Sequence, residues 1–276
     1  MTWKGDNCNL PEMPVEINVN NQITVVFPFK MTMNVIVLKF IHYVLTLATF
    51  VKQFLFRIPS LPFNKSDSLA AQADARKLKK LPLHLGMIIL EDDMSYTDIA
   101  NFILWSAAMG ISFISIYDTN GIVKRNEKTL REEIARRKSS YNDSENSKAD
   151  IEVHSSLEKL TNKSSSQVDV FLLSVKDGRQ SIVNMARHIC HQVSLRQLKS
   201  VELSPHSVDK LFQEETGYPD PDLVVKFGSA ETLMGFMPWH ARLTEILSWP
   251  SHFGLEYKTF KSLLVSYGST EQRFGK

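Results

Sequence analysis

Residues 81–125, with the sequence LPLHLGMIILEDDMSYTDIANFILWSAAMGISFISIYDTNGIVKR, decide the fold. They open with a continuous apolar run over 85–90, which is typical of a strand buried between two layers in a parallel sheet. Ser95 is a suitable N-cap, and apolar residues at helical spacing then predict an amphipathic helix over 96–109. A second apolar segment at 111–117 predicts the next strand. The stretch therefore predicts a βαβ unit, with ligands expected beyond the carboxyl ends of its strands.

The same pattern continues through the rest of the chain. Buried strands are predicted at 168–175 and 222–227, and an edge strand within 239–249. Helices are predicted over 66–80, from Asn126 to about 137, after Asp177 as an N-cap, over 204–217 and over 257–267. The stretch from 138 to 167 is dominated by Ser, Asn, Lys, Asp and Glu, so we expect a disordered surface insertion there. Residues 58–268 are thus predicted to form an α/β domain with a mostly parallel central sheet flanked by helices.

Charge and cysteine content limit the function classes. The net charge of the 276-residue chain is +2, which does not demand nucleic acid or another polyanion as a partner. Cys8 and Cys190 rule out a disulfide framework and suit a reducing compartment. Cys190 lies on the predicted apolar stripe of its helix, so we expect it to be buried and unreactive. His188, Cys190 and His191 share no face with a fourth ligand, and no metal site is predicted in this chain.

The N-terminal region is predicted to associate with a membrane. Residues 1–22 have no periodicity, and an apolar region follows over 23–56. We expect residues 1–34 to form a disordered extension and residues 35–57 to form an apolar anchor helix. Its polar residues follow steps of three or four and form one stripe: Lys39, His42, Thr46, Thr49 and Gln53. The helix could span the bilayer with this stripe against a partner or lie flat in the interface, and a buried soluble helix is the third alternative. Lys and Arg residues crowd the C-terminal side, which predicts that the folded domain faces the cytosol.

No complete catalytic motif is present in the sequence. It contains no G-x-x-x-x-G-K-[ST], no G-x-S-x-G and no H-E-x-x-H. Asp92 and Asp93 follow a predicted strand and could ligate Mg²⁺, although a solvated acidic turn is the favoured interpretation. The residues alone therefore do not identify a reaction.

Several long motifs carry a family resemblance. They are the block 81–126, PDPDLVVKFG at 219–228, GFMPWHARLTEI at 235–246 and the ending EQRFGK at 271–276. In this order they resemble the cis-prenyltransferase (undecaprenyl diphosphate synthase) family over about residues 35–276. The resemblance implies a non-catalytic, activating subunit of the dehydrodolichyl diphosphate synthase complex at the endoplasmic reticulum membrane. Its partner would be a catalytic cis-prenyltransferase subunit that binds Mg²⁺. The complex would condense isopentenyl diphosphate onto farnesyl diphosphate for dolichol synthesis and protein glycosylation.

Departures from the family pattern imply that this chain's own pocket contains no catalytic residue. In catalytic members the first strand ends in an aspartate followed by Gly-Asn-Gly-Arg, whereas here Leu90 is followed by Glu91-Asp92-Asp93. An alkyl side chain cannot ligate Mg²⁺, and three acidic residues would repel a diphosphate. The second phosphate-binding run, Arg-Thr-Ser-Gly-Glu-x-Arg, appears as Lys-Phe-Gly-Ser-Ala-Glu-Thr. Lys226 keeps the charge without the bidentate fork, and Thr232 loses both. Glu245 matches a family glutamate only with altered spacing.

The segment 269–276 retains one family motif. Arg273-x-Gly275 matches the Arg-x-Gly motif that, in the family, crosses the dimer interface to the partner's active site. The resemblance therefore implies that Arg273 and Gly275 bind isopentenyl diphosphate in trans. The chemistry is suitable, because Arg offers a planar fork of donors and Gly permits close backbone approach. A frayed tail is the alternative, and a membrane-anchored receptor or scaffold without a part in catalysis is the alternative function.

Overall fold

A computed structural model describes residues 33–56, 65–139, 150–155 and 167–271. The chain divides into two compact units, Met1–Lys52 and Gln53–Lys276. The helices are α1 (Met33–Phe56), α2 (Lys65–Ala75), α3 (Tyr96–Ala108), α4 (Ile122–Arg125), α5 (Glu127–Ser139), α6 (Arg179–Ser194), α7 (Pro205–Thr216) and α8 (Tyr257–Ser269). The strands are β1 (His84–Ile89), β2 (Phe113–Asp118), β3 (Asp150–His154), β4 (Gln167–Leu173), β5 (Leu223–Phe227) and β6 (Glu245–Trp249).

The strands of the second unit form one parallel sheet in the order β3-β4-β2-β1-β5-β6. Strand β1 pairs with both β2 and β5 and is fully buried, as its continuous apolar run predicted. Helices flank the sheet, so the predicted α/β class with a mostly parallel central sheet is confirmed. The carboxyl ends of the six parallel strands lie at one edge, which is where the sequence placed a ligand site.

Hydrophobic side chains cover both faces of the sheet. On one face Phe102 of α3 and Phe260 of α8 pack edge to face at 5.3 Å within the largest core cluster. On the other face Phe236 and Met237 pack against residues from β1, β2, β4 and β5. Gly86 of β1 permits this second layer, because a Cβ there would lie 2.8 Å from Val224 Cγ2 and 3.1 Å from Phe236 Cζ.

Local signals placed the helix ends correctly in several cases. Ser95 caps α3 and accepts a hydrogen bond from the backbone N–H of Asp98. Ser204 caps α7, and Gly217 ends it in the left-handed conformation with φ 71°. The predicted role of Asp177 was wrong in detail: its carboxylate accepts from the backbone N–H of Ser174 in a 3-10 turn, and Gly178 precedes α6.

Two further sequence predictions for the second unit were wrong. The stretch 138–167, predicted to lack stable packing, contains β3, whose Val153 is buried against the core. Cys190 is exposed rather than buried, because α6 buries only Met185 and Ile189 among its described side chains. At the predicted boundaries of the insertion, Lys138 still belongs to α5 and Gln167 begins β4. Residues 140–149 and 156–166 of the insertion lie outside the described residues.

The described large apolar side chains of helix α1 are exposed. Its large apolar residues from Val35 to Val51 are 39–67% exposed where they are described, which is contrary to the alternative of a buried helix. Lys39, His42 and Thr46 of the predicted stripe are also exposed, whereas the side chains of Thr49 and Gln53 lie outside the description. Over the described residues, no helix combines the length and apolar character that crossing a membrane requires.

Candidate functional site

The candidate site lies at the carboxyl ends of β1 and β5. The backbone N–H of Leu90 donates to the carbonyl of Phe227 at 2.9 Å, so the two strands stay paired beyond the last residue of β1. Gly228 follows with φ 114°, and a Cβ there would lie 3.0 Å from Leu90 Cβ. The structure therefore brings together the two runs, after β1 and after β5, that the family resemblance singled out. An alkyl side chain stands where they meet.

Glu91 joins the turn after β1 to the turn after β6 instead of pointing into solvent. Its Oε1 accepts from Ser251 Oγ at 2.5 Å, and its Oε2 accepts from the backbone N–H and the Nδ1 of His252. Burial alone would raise the pKa of this carboxyl, but donation by His252 and Ser251 outweighs burial and holds the pKa below its ordinary value. Glu91 is therefore a fixed negative charge.

His252 connects this carboxylate to the start of α3. Its side chain is fully buried, and its Nε2 accepts from the backbone N–H of Ser95 at 2.9 Å. Because that N–H can only donate, the ring proton is assigned to Nδ1, which donates to Glu91. Asp98 extends the network by accepting from Ser95 Oγ at 2.6 Å and from the backbone N–H of Gly254 at 3.2 Å. The turn after β1 is thus held by a continuous hydrogen-bond network.

The acidic residues at this edge do not fit a Mg²⁺ site. Leu90 offers no oxygen, and both oxygens of Glu91 already accept hydrogen bonds. Both oxygens of Asp118, at the end of β2, accept from backbone N–H groups at the start of α4, at 2.7 and 3.0 Å. Asp92 and Asp93 are exposed. Mg²⁺ requires oxygen ligands in near-octahedral geometry, so the carboxylates positioned by the fold are committed to structure instead.

Two cations near this edge, Lys226 and Lys124, are also engaged by groups of the chain itself. Lys226, which is 4% exposed, donates from Nζ to the carbonyl of Ala230 at 2.6 Å and lies 3.5 Å from Glu231. Lys124 pairs with Asp177 at 2.8 Å. To bind either ammonium group, a diphosphate would have to displace the carbonyl of Ala230 or the carboxylate of Asp177.

Other residues named from the sequence are dispersed. Thr232 is exposed and its Oγ1 accepts from the backbone N–H of Met234 at 3.2 Å. Glu245 begins β6, where its backbone N–H donates to the carbonyl of Asp222 at 3.0 Å. Arg273 and Gly275 lie outside the described residues, so their proposed role in trans stays a prediction.

The segment after β5 also fills the second face of the sheet near the site. Tyr117 Oη donates to the carbonyl of Met234 at 2.6 Å, and the Tyr117 ring lies 5.6 Å from Phe236 in an edge-to-face contact. Burial raises the pKa of the Tyr117 hydroxyl, which keeps it protonated and able to donate. At Gly178, a Cβ would lie 2.2 Å from the carbonyl oxygen of Gly235, so the two loops are in close backbone contact.

The residues that hold this edge in place could not be identified from the sequence. Ser251 and His252 follow β6 and lie about 160 positions from Glu91, so no local pattern could pair them. The same applies to His84 at the start of β1, whose ring is buried and hydrogen-bonded to the carbonyl of Pro219 and to Ser115 Oγ. A polar residue inside an apolar run, as at His84, is the one signal that could have marked a buried network.

Comparisons with known proteins found similarity to prenyltransferases and to subunits of a prenyltransferase complex. Residues 95–275 match the Prenyltransf family model, whose description names undecaprenyl diphosphate synthase. The chain is similar to dehydrodolichyl diphosphate synthase complex subunit NUS1 of Homo sapiens, at 41% identity over 74% of this chain and 70% of that protein. The corresponding Schizosaccharomyces pombe subunit is 27% identical over 73% of this chain and 80% of its own length. Isoprenyl transferase 1 of Corynebacterium diphtheriae is 31% identical over 36% of this chain and 39% of its own length.

Proposed function

The chain belongs to the undecaprenyl diphosphate synthase family of prenyltransferases, and we propose that it is a non-catalytic, activating subunit of a dehydrodolichyl diphosphate synthase complex. The relatives that match most of its length are named as subunits of that complex. The subunit assignment is supported by this long match, and the non-catalytic assignment is supported by the carboxyl end of β1.

One observation carries the non-catalytic assignment. Glu91 occupies the turn where the family resemblance places a phosphate-binding glycine turn, and its charge is fixed by His252 and Ser251. A diphosphate entering here would meet this anion together with the exposed Asp92 and Asp93. Like charges at short distance in a partly dry site oppose binding strongly. The carboxyl end of β1 therefore stabilises the fold and does not bind a diphosphate.

The reaction would take place in a catalytic partner subunit of the same family. There, isopentenyl diphosphate would form a new carbon–carbon bond with an allylic diphosphate such as farnesyl diphosphate, with loss of a proton and of inorganic diphosphate. Mg²⁺ would belong to that partner and stabilise the departing charge. This chain would contribute by assembling with the partner.

Arg273 and Gly275 are proposed to bind isopentenyl diphosphate in the partner's active site. The family match extends to residue 275 and so includes both positions. A guanidinium can make two parallel hydrogen bonds to phosphate oxygens, and a glycine lets backbone N–H groups approach them closely. The chain would then activate its partner through a charge-assisted contact that the partner lacks alone.

Helix α1 is proposed to anchor the complex at the endoplasmic reticulum membrane with the folded domain facing the cytosol. Support comes from the exposed apolar side chains along α1 and from the excess of Lys and Arg after it. Membrane flotation of the full chain and of a variant lacking 33–56 tests the anchor. Glycosylation at Asn142 or Asn162, read as a glycosidase-sensitive mass shift, would contradict the cytosolic orientation.

Reconstitution with a catalytic cis-prenyltransferase subunit tests the proposed function. The full chain and the partner are co-purified, and incorporation of isopentenyl diphosphate into polyprenyl product is measured for each protein and for the complex. We expect co-purification and a large rise in activity over the partner alone. Co-purification without any change in activity would favour the receptor or scaffold function instead.

A further inference from the structure

A second cluster of polar side chains lies on the paired strands β3 and β4. Glu152 and His154 are two residues apart on β3, as are Gln167 and Asp169 on β4, so each pair lies on one face of its strand. Parallel pairing places Glu152 beside Asp169, which brings both pairs to the same face of the sheet. One ring nitrogen of His154 and one carboxylate oxygen each from Glu152 and Asp169 lie within 4.8 Å of one another.

The surroundings hold these groups in position. Asp169 is only 2% exposed, and its Oδ1 lies 3.0 Å from His154 Nε2. The His154 ring stacks on Phe171, with centroids 5.3 Å apart and planes at 24°. Gln167 donates from Nε2 to Asp169 Oδ1 at 3.1 Å and also to Glu152 Oε2. A buried carboxylate, a stacked imidazole and a shared amide donor are therefore oriented toward one point.

We propose that Glu152, His154 and Asp169 bind a divalent transition-metal ion, with Zn²⁺ the best match. One imidazole nitrogen and two carboxylate oxygens suit Zn²⁺, whose bonds to such ligands are about 2.0–2.2 Å long, whereas Mg²⁺ and Ca²⁺ prefer oxygen alone. The proton shared by His154 Nε2 and Asp169 Oδ1 would give way to the metal. Gln167 would orient both carboxylates from outside the coordination shell, and water would complete it.

The metal would fasten β3 to the rest of the sheet. Strand β3 lies at the sheet's edge and pairs only with β4 in the described structure. Val153 is its one buried apolar side chain, with Ile151 partly buried beside it. An ion shared by β3 and β4 would add a cross-strand link where apolar packing is thin. This proposal is independent of the proposed function, because it concerns side chains of β3 and β4 and does not involve Glu91, Arg273 or Gly275.

Metal titration of the full chain tests the site. Isothermal titration with Zn²⁺ is expected to give one equivalent bound to the wild type, with the unfolding temperature raised by about 5–10 °C at 100 times the Kd. His154→Ala is expected to weaken binding by about 100-fold or more, and Glu152→Gln, at an exposed position, by about tenfold or more. Co²⁺ bound in the same place should show visible d–d bands without thiolate charge transfer.

Exposed residues on α6 supply a matched control. His188, Cys190 and His191 are exposed on that helix and offer other ligand types to an added metal ion, although they do not form a candidate metal group in the described structure. The double variant His188→Ala, His191→Ala should bind Zn²⁺ as the wild type does. Loss of binding in this variant, a thiolate charge-transfer band with Co²⁺, or no stoichiometric binding by the folded wild type would overturn the proposal. Glu152→Gln decides the question if His154→Ala does not fold.

Discussion

A fully buried histidine lies at each end of strand β1, His84 within the strand and His252 from the turn after β6, but their partners differ. At the amino end His84 Nδ1 meets the carbonyl of Pro219 and Nε2 meets Ser115 Oγ, both at 2.6 Å. At the carboxyl end His252 meets the carboxylate of Glu91. Burial lowers the pKa of His84 to about 4, so the amino end is neutral, whereas donation by His252 keeps Glu91 ionised.

If the chain is non-catalytic, as proposed, this difference explains how a family fold could lose its chemistry and keep its shape. Both ends are closed by hydrogen bonds between distant parts of the chain, so both stabilise the sheet. Only the carboxyl end lies where the family resemblance places a diphosphate, and there the hydrogen-bond network includes the ionised Glu91. The stabilising network and the expected phosphate site therefore exclude each other.

Removal of His252 should have the largest effect on stability. His252→Ala leaves a cavity, an unsatisfied N–H at Ser95 and a partly buried carboxylate at Glu91 without its main donor. We expect a loss of about 3–4 kcal/mol in the free energy of unfolding, measured by chemical denaturation. His206→Ala, at an exposed position of α7, is the control and should stay within about 0.5 kcal/mol. A similar small loss for His252→Ala would show that the carboxyl-end network contributes little.

Acid should destabilise the amino end. Unfolded His84 binds a proton near pH 6.5 and the folded residue near pH 4, so stability is full above 6.5 and is lost as the pH falls between these values. The expected loss is about 3 kcal/mol over this range. Denaturation at several pH values measures it, and His84→Gln should flatten the profile. An unchanged slope in His84→Gln would contradict the account of the amino end.

The long-range contacts of these two networks could not be predicted from the sequence, whereas several local features could. The βαβ unit, the N-cap Ser95 and the terminal Gly217 were predictable, because apolar periodicity and capping act over a few residues. Contacts such as that between Glu91 and His252 join residues about 160 positions apart and leave no local pattern. Strand β3 was missed because it is a short, mostly polar edge strand within a Ser- and Asn-rich stretch.

Substitution of Arg273 should lower the activity of the complex, whereas substitution at the carboxyl end of β1 should not. In the reconstituted complex, Arg273→Ala should lower kcat/KM for isopentenyl diphosphate by about tenfold to a hundredfold, because a charge-assisted contact is worth about 1.5–3 kcal/mol. Arg273→Lys should recover part of the loss, since an ammonium lacks the planar fork. Gly275→Ala should also reduce activity, and assembly should be normal in all three. Wild-type kinetics for Arg273→Ala would show that the motif has no role in trans.

Neutralising Glu91 should give the smallest effect, on stability alone. Glu91→Gln replaces a charged acceptor by an amide that cannot accept from Ser251 and His252 at both positions, so we expect a loss of about 1–2 kcal/mol. Asp92→Asn, at the exposed neighbouring position, is the matched control and should change stability by less than about 0.5 kcal/mol. Activity of the complex should be unchanged in both variants. A rise in the free energy of unfolding for Glu91→Gln would contradict this expectation, because it would show that the partly buried charge destabilises the fold.

The most direct test of the central claim is isopentenyl diphosphate incorporation by the purified full chain alone, by the catalytic partner alone and by the two together, each with farnesyl diphosphate and Mg²⁺. Because Leu90 and the committed Glu91 leave no Mg²⁺–diphosphate site at the carboxyl end of β1, the chain alone should form no polyprenyl product and the complex should far exceed the partner. Polyprenyl synthesis by the chain alone, free of any host enzyme, would contradict the account.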